Sequence, residues 1–265
     1  METAKDILTR IDVRGLTGDL AVALPALEMR GRQPVEAVRD ILEEVKADGD
    51  AALRSLTSRF DGVQVDDLRV PADEVKAALD EIPAGLREAM EAARDNIQAF
   101  HRIQIHPDGR LDRAGMSLRE VRQPVARAGL YIPGGRAPLG STVLMTAVPA
   151  RVAGVGEVIM CSPPGPDGRI APSIRAAAAI AGVDEVYRVG GAQAVAAMAY
   201  GTETIRPVDV IVGPGNRFVA LAQRFVSQEG AVGVPSAFAG PSEVAVVADD
   251  TTPVEFAAVD LVVQA

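Results

Sequence analysis

The chain has no tryptophan, one cysteine, two histidines and only 3% aromatic residues. Each shortage removes a class of explanation. A core without large rings must be aliphatic, built from Ala, Val, Ile and Leu. A lone Cys161 excludes an internal disulfide and fits a reducing compartment. It sits in an apolar run, where a buried, inert thiol is the expected state. His101 closes a helical segment and His106 precedes Pro107; neither has a Cys or carboxylate at metal-ligand spacing, so both read as structural or solvent-facing. No stretch approaches the roughly 18 apolar residues of a membrane span. Residues 1–20 carry Asp6, Arg10, Asp12, Arg14 and Asp19 without an apolar run, which is not a secretory signal, and a cytoplasmic location is expected. Basic charge is also short. A net charge of -9 argues against a general nucleic-acid binder, which wants a basic face.

What is present is ordinary for a soluble globular protein: 265 residues, 48% apolar and 24% charged. That length supports a substantial core and two domains.

The texture changes near residue 130. Before it, helices dominate. A brief strand and turn is predicted at 12–15. Val35, Val38, Ile41, Leu42 and Val45 share one face of a helix over 34–47, ended by Gly49. A second helix over 50–60 is closed by Asp61-Gly62. An extended piece at 68–70, helices over 72–79 and 86–101, a turn at 107–109, and strands over 116–121 and 125–131 follow. After residue 130, short apolar strands (157–161, 185–189, 209–212, 244–247) alternate with Ala-rich helices (142–153, 170–181, 192–200, 217–228). That alternation predicts βαβ units and a parallel sheet. A last apolar helix starts after Pro253, with Thr251 or Thr252 as its N-cap. It is still running at Ala265, so the chain reads as the N-terminal part of something longer.

Four Gly-rich loops punctuate this second region: Pro133-Gly134-Gly135, GGAQA at 190–194, GPGN at 213–216 and AGPSE at 239–243. Each follows or interrupts an apolar run, so right-handed crossovers bring them to one edge, the binding edge of an α/β sheet. No generic motif names the ligand. The G-x-G-x-x-G fingerprint fails because Phe218 stands where the third glycine belongs, and the P-loop spacing from Gly135 ends on Ser141 without its lysine. No G-x-S-x-G elbow occurs.

Taken together the loops are more specific. The sequence resembles the N-terminal part of the histidinol dehydrogenase family in eight ordered blocks: GLYIPGG (129–135), APLGSTVLM (137–145), VPARVAGV (148–155), CSPP (161–164), GVDEVYRVGGAQAVAAMAYGTE (182–203), VDVIVGPGN (208–216), AGPSEV (239–244) and DLVVQA (260–265). IDVRG (11–15) and FDGV (60–63) fit more loosely. The resemblance implies two NAD-dependent oxidations of histidinol to histidine, one zinc per site and an intertwined homodimer. It places Tyr131, Gln193 and Asn216 on NAD, Ser242 on substrate, and Gln264 on both substrate and zinc. The same side chains have plainer uses: Gln193 could cap a helix and Asn216 could be an N-cap. The fold implied is α/β with two incomplete Rossmann-like modules: an N-terminal arm (1–29), a first module (30–130 with 243–265) and an NAD-facing second module (131–242). The family's acid–base pair and its other zinc ligands fall beyond Ala265, so the chain alone is expected to hold no catalytic residue and to be inactive. Ser236 stands where the family often has Asp ahead of AGPSE. Two other readings stay open here: a relative acting on another small polar alcohol, such as a sulfonated diol, and a non-catalytic NAD-binding or dimerisation module.

Overall fold

The structure is a computed structural model that describes residues 14, 15, 17, 18, 34–134, 138–235 and 244–264. Contacts divide the chain into residues 1–33 and 34–265. The second unit carries all the described helices and strands. The strand predicted at 12–15 lies mostly outside the described residues.

Its elements run α1 (Val35–Asp61), β1 (Arg69–Val70), α2 (Ala72–Glu81), α3 (Ala84–Arg102), β2 (Gly109–Arg113), β3 (Met116–Glu120), β4 (Arg127–Tyr131), α4 (Gly140–Val152), β5 (Glu157–Cys161), α5 (Pro172–Ala181), β6 (Glu185–Tyr187), α6 (Gly191–Tyr200), β7 (Val210–Val212), α7 (Arg217–Gln228) and α8 (Val254–Gln264). A five-stranded sheet has the order β1-β6-β5-β4-β7. The four strands after residue 126 are mutually parallel, and β1 joins the edge antiparallel to β6. The α/β expectation is therefore met by one mixed, mostly parallel sheet.

Both faces are covered. Helices α1, α6 and α7 pack together on one side, and α2 to α5 on the other. Strand alternation divides the side chains: Tyr131, Ile159 and Cys161 join the first layer, while Leu130, Ile132, Val158 and Met160 join the second. Burial on both faces explains why these strands read as continuous apolar runs. Alanine-rich α5 and α6 keep the layers close, with Ala176, Ala177, Ala178, Ala194, Ala196 and Ala197 all fully buried.

The two helices predicted over 34–47 and 50–60 are one element with a break. Gly49 sits at φ 51°, ψ -126° inside α1. The break is bolted to the 202–204 loop. Asp50 N–H donates to Glu203 Oε2 at 2.7 Å, and the Asp50 carboxylate accepts from the Thr204 backbone at 3.3 Å and from its hydroxyl. A Cβ on Gly49 would lie 2.4 Å from Glu203 Oε2, so the loop needs glycine for room as well as for φ. Glu203 thus supplies a capping acceptor to the second half of α1.

Three expectations need correction. Residues 109–113 form β2, paired with β3 in a separate hairpin, where no strand was predicted. Its sequence, GRLDR, is charged and has no β-branched residue, and both strands are mostly exposed. Residues 244–247 form no strand. Thr251 and Thr252 do not cap α8 through their hydroxyls: Thr251 Oγ1 donates to Asp249 Oδ1 at 2.7 Å, and Thr252 Oγ1 accepts from Asp249 N–H at 3.3 Å. Both serve a local Asx turn instead.

Candidate functional site

The first crossovers carry the chain from β4 to β5 to β6 in one direction; the next returns it past β4 to β7. Between β4 and β7 the direction reverses. In parallel sheets, ligands bind at the carboxyl ends of the strands at such a switch point. A cavity of about 1070 Å³ opens there. The loops after all four parallel strands line it, through Pro133 and Gly134, Pro163 to Asp167, Gly191 to Gln193, and Asn216; the end of α1 adds Phe60 and Asp61. Three of the four predicted Gly-rich loops therefore meet at one edge; the fourth, at 239–243, lies outside the described residues.

The switch point itself depends on Gly213. It has φ 121°, and a Cβ there would stand 2.1 Å from the Tyr131 carbonyl oxygen. Only glycine lets the β7 end come this close to the β4 end. Gln223 Nε2 holds the Gly213 carbonyl at 3.0 Å.

The three residues assigned to a nucleotide from sequence converge on the cavity. Tyr131 closes β4. Its hydroxyl accepts from Gly191 N–H at 3.1 Å, which leaves the hydroxyl hydrogen to donate elsewhere. Burial pushes the phenol up to about 12, so it stays neutral near pH 7. Gln193 lies in the first turn of α6, 1% exposed, and its Oε1 has no hydrogen-bond partner. It caps nothing. Asn216 does cap: its Oδ1 accepts from the N–H groups of Phe218 and Val219 at 2.9 and 3.2 Å at the start of α7. That leaves its amide NH2 for a ligand, beside the positive end of a helix.

Sequence reading missed Asp61. It registered there only as a helix stop before Gly62, although the FDG block was visible. In the structure Asp61 lines the cavity, its Oδ2 is buried without a partner, and burial holds its carboxyl above the ordinary range. The charge also helps keep the Tyr131 phenol neutral.

Other candidates play no part here. Cys161 is fully buried, and burial pushes its thiol up to about 12, so it is a packing residue. His101 Nδ1 lies 2.6 Å from Gln104 Oε1 on the surface. Ser242 lies outside the described residues. Gln264 ends α8, and its side chain also lies outside them. Among the described residues no group of three or more His, Cys, Asp or Glu could hold a metal ion.

The switch-point cleft therefore gathers a neutral phenol, a buried amide and a helix-start asparagine without the usual glycine fingerprint. A family model described as histidinol dehydrogenase matches residues 27–265. The chain belongs to the histidinol dehydrogenase family. The histidinol dehydrogenase of Methanothermobacter thermautotrophicus is 49% identical over 230 residues, covering 86% of this chain and 53% of that protein. That of Xylella fastidiosa is 46% identical over 234 residues, covering 88% and 54%. The crystal structure of histidinol dehydrogenase from Elizabethkingia anophelis superposes with a TM-score of 0.81 at 38% identity, over 89% of this chain and 55% of that one. The chain thus spans about half the length of the histidinol dehydrogenases it matches. No described helix is long and apolar enough to cross a membrane.

Proposed function

We propose that this chain carries the nucleotide-binding half of a histidinol dehydrogenase, an NAD-dependent oxidoreductase that converts L-histidinol to L-histidine in two successive oxidations at the end of histidine biosynthesis. The observation that carries the reading is the meeting of Tyr131, Gln193 and Asn216 at the β4–β7 switch point of a chain in this family. The cavity suits the cofactor. It is large enough for most of a dinucleotide, and two buried acceptors, Asp61 Oδ2 and Gln193 Oε1, lack donors that a nucleotide would supply.

Bound NAD supplies the hydride acceptor. The residues of this chain bind and orient it. Tyr131, kept neutral by burial, donates its hydroxyl hydrogen to a ribose or phosphate oxygen. Asn216 presents its amide NH2, and α7 its positive end, to the phosphates. Gln193 accepts from a ribose hydroxyl or an amide of the cofactor. The apolar walls from Pro133, Pro163 and Phe60 exclude water from the rings.

In this proposal Ser242 and Gln264 face the substrate, and Gln264 gives one ligand to a zinc ion in the complete enzyme. The described residues hold no group of three or more His, Cys, Asp or Glu that could bind the metal by themselves. The working enzyme is proposed to be a cytoplasmic homodimer. The expected arrangement of an arm at 1–29, a module at 30–130 with 243–265, and an NAD-facing module at 131–242 is proposed for that enzyme. In this chain β4 runs across its 130/131 boundary.

The test is NADH formation by the full-length protein with L-histidinol. Two NADH per histidine are expected; no NADH formation with a folded, metal-loaded protein would contradict the reading. The 265-residue chain by itself is expected to bind NAD and oxidise nothing.

A further inference from the structure

Helix α1 meets the cleft twice. Ile41 in its first half, and Phe60 and Asp61 at its end, line the same cavity. Along an unbroken helix, at about 1.5 Å per residue, Ile41 and Phe60 would stand roughly 28 Å apart, the diameter of a small domain. The break at Gly49, φ 51° and ψ -126°, turns the second half back, so both halves reach one cleft from a common apex. Glycine permits this turn but does not hold its angle. The angle is set from outside the helix.

The groups that set it come from the 202–204 loop. Helix α6 starts in the cleft with Gly191 to Gln193 and ends at Tyr200, about 15 Å along its axis, and the loop follows. Neither Glu203 nor Thr204 lines the cavity. At the apex Glu203 Oε2 accepts from Asp50 N–H at 2.7 Å. The Asp50 carboxylate, on a residue only 6% exposed, accepts in return from the Thr204 N–H at 3.3 Å and from its hydroxyl. An N-cap needs one acceptor. Here a second carboxylate is buried as well, so that helix and loop fix each other. A small rotation at the apex moves the far end of the second half most, about 18 Å on. That end carries Phe60 and Asp61, and Phe60 is 51% exposed, so its own packing holds it little.

We infer that Glu203 and Thr204 are positioning residues for the cleft, a role that rests on the nucleotide reading above. By fixing the bend of α1 at Gly49 they hold its end at the distance from the strand-end loops that the bound cofactor requires. They act through α1 and touch no ligand.

The test is steady-state kinetics of the full-length protein with saturating L-histidinol and varied NAD. Glu203→Ala removes the acceptor at the apex. A remote change that misplaces a group by about 1 Å can cost up to about 100-fold, and the KM for NAD should rise by about 10-fold or more. The interaction lost is uniform binding, so kcat should stay near wild type. Glu203→Gln keeps an acceptor for Asp50 N–H and should restore the wild-type KM. A merely structural role gives a different result: an unfolded fraction lowers the apparent kcat and leaves the KM of the folded molecules unchanged. An unchanged KM in Glu203→Ala, or an equal rise in both variants, overturns the role of Glu203 and leaves the nucleotide reading standing. If Glu203→Ala does not fold, Thr204→Val removes only the hydroxyl donor to Asp50; a smaller rise in KM is then expected, and no rise overturns the role. A folded, metal-loaded wild type that forms no NADH removes the nucleotide reading and the positioning role with it.

Discussion

The two ends of the parallel strands are built on opposite rules. At the amino ends charge is matched. Arg127, 6% exposed, reaches Glu157 and Glu185 with its two terminal nitrogens, its backbone N–H meets Asp209 at 2.8 Å, and Arg206 adds a second cation at Glu157. At the carboxyl ends buried polar atoms stand alone: Asp61 Oδ2, Ser162 Oγ and Gln193 Oε1. The same sheet carries both. Arg127 Nε is also buried without a partner, so the difference lies in the charges: those at the amino ends are paired, while the acceptors at the carboxyl ends have no donor. In the proposed function the amino ends stabilise and the carboxyl ends bind, as expected where a site stores unfavourable interactions.

The largest expected effect comes from breaking the paired charges at the amino ends. Arg127→Met leaves Glu185 largely buried without its main cation, its side chain only 14% exposed. Removing one partner of a buried pair costs about 3–5 kcal/mol, read as a lower urea midpoint, while the surviving folded protein should still bind NAD. If Arg127→Met weakens cofactor binding more than stability, the division between the two ends is wrong.

Gly213→Ala strikes the other end. At φ 121° and with 2.1 Å to the Tyr131 carbonyl, the methyl must push β7 from β4. A loss of about 1–3 kcal/mol in stability is expected, with loss of NAD binding out of proportion to it. Asn216→Ala should cost about 1 kcal/mol as a lost N-cap and also weaken NAD. Asn216→Asp keeps the cap, so a variant that restores stability yet still binds NAD poorly would separate its two roles.

The smallest effect has the opposite sign. The folded pKa of Asp61 lies above its unfolded value, because burial disfavours the charge. Its ionisation therefore opposes folding: the penalty is absent below the unfolded carboxyl pKa and grows as pH rises through the folded one. Asp61→Asn should raise the melting temperature slightly at pH 7 and lose that advantage at pH about 3, below the unfolded value. A variant that melts lower at pH 7 would show that Asp61 has a stabilising partner after all.

The fold was largely legible because the strands are buried on both faces. Continuous apolar runs bounded by glycine gave β5 and α7 with the bounds observed, and the Gly49 break was plain from its position. The β2 strand escaped because GRLDR pairs only with an equally exposed neighbour, and exposure leaves no apolar signature. Residues 244–247 look like a strand by composition, yet a strand needs a neighbour, which composition does not supply. At the site, Tyr131, Gln193 and Asn216 were named through family resemblance, not through spacing. Asp61 escaped because Asp-Gly after a helical run is an ordinary helix stop; only its burial without a partner, a three-dimensional fact, marks it out.

The most direct measurement is amide hydrogen exchange of the full-length protein with and without NAD. Added protection should concentrate at 131–134, 190–193 and 213–216, the loops at the carboxyl ends of the strands, while the amino ends at 127, 157 and 185 stay unchanged. Protection at the amino ends instead, or none at the Gly-rich loops under saturating NAD, would contradict the assignment of binding to the carboxyl ends.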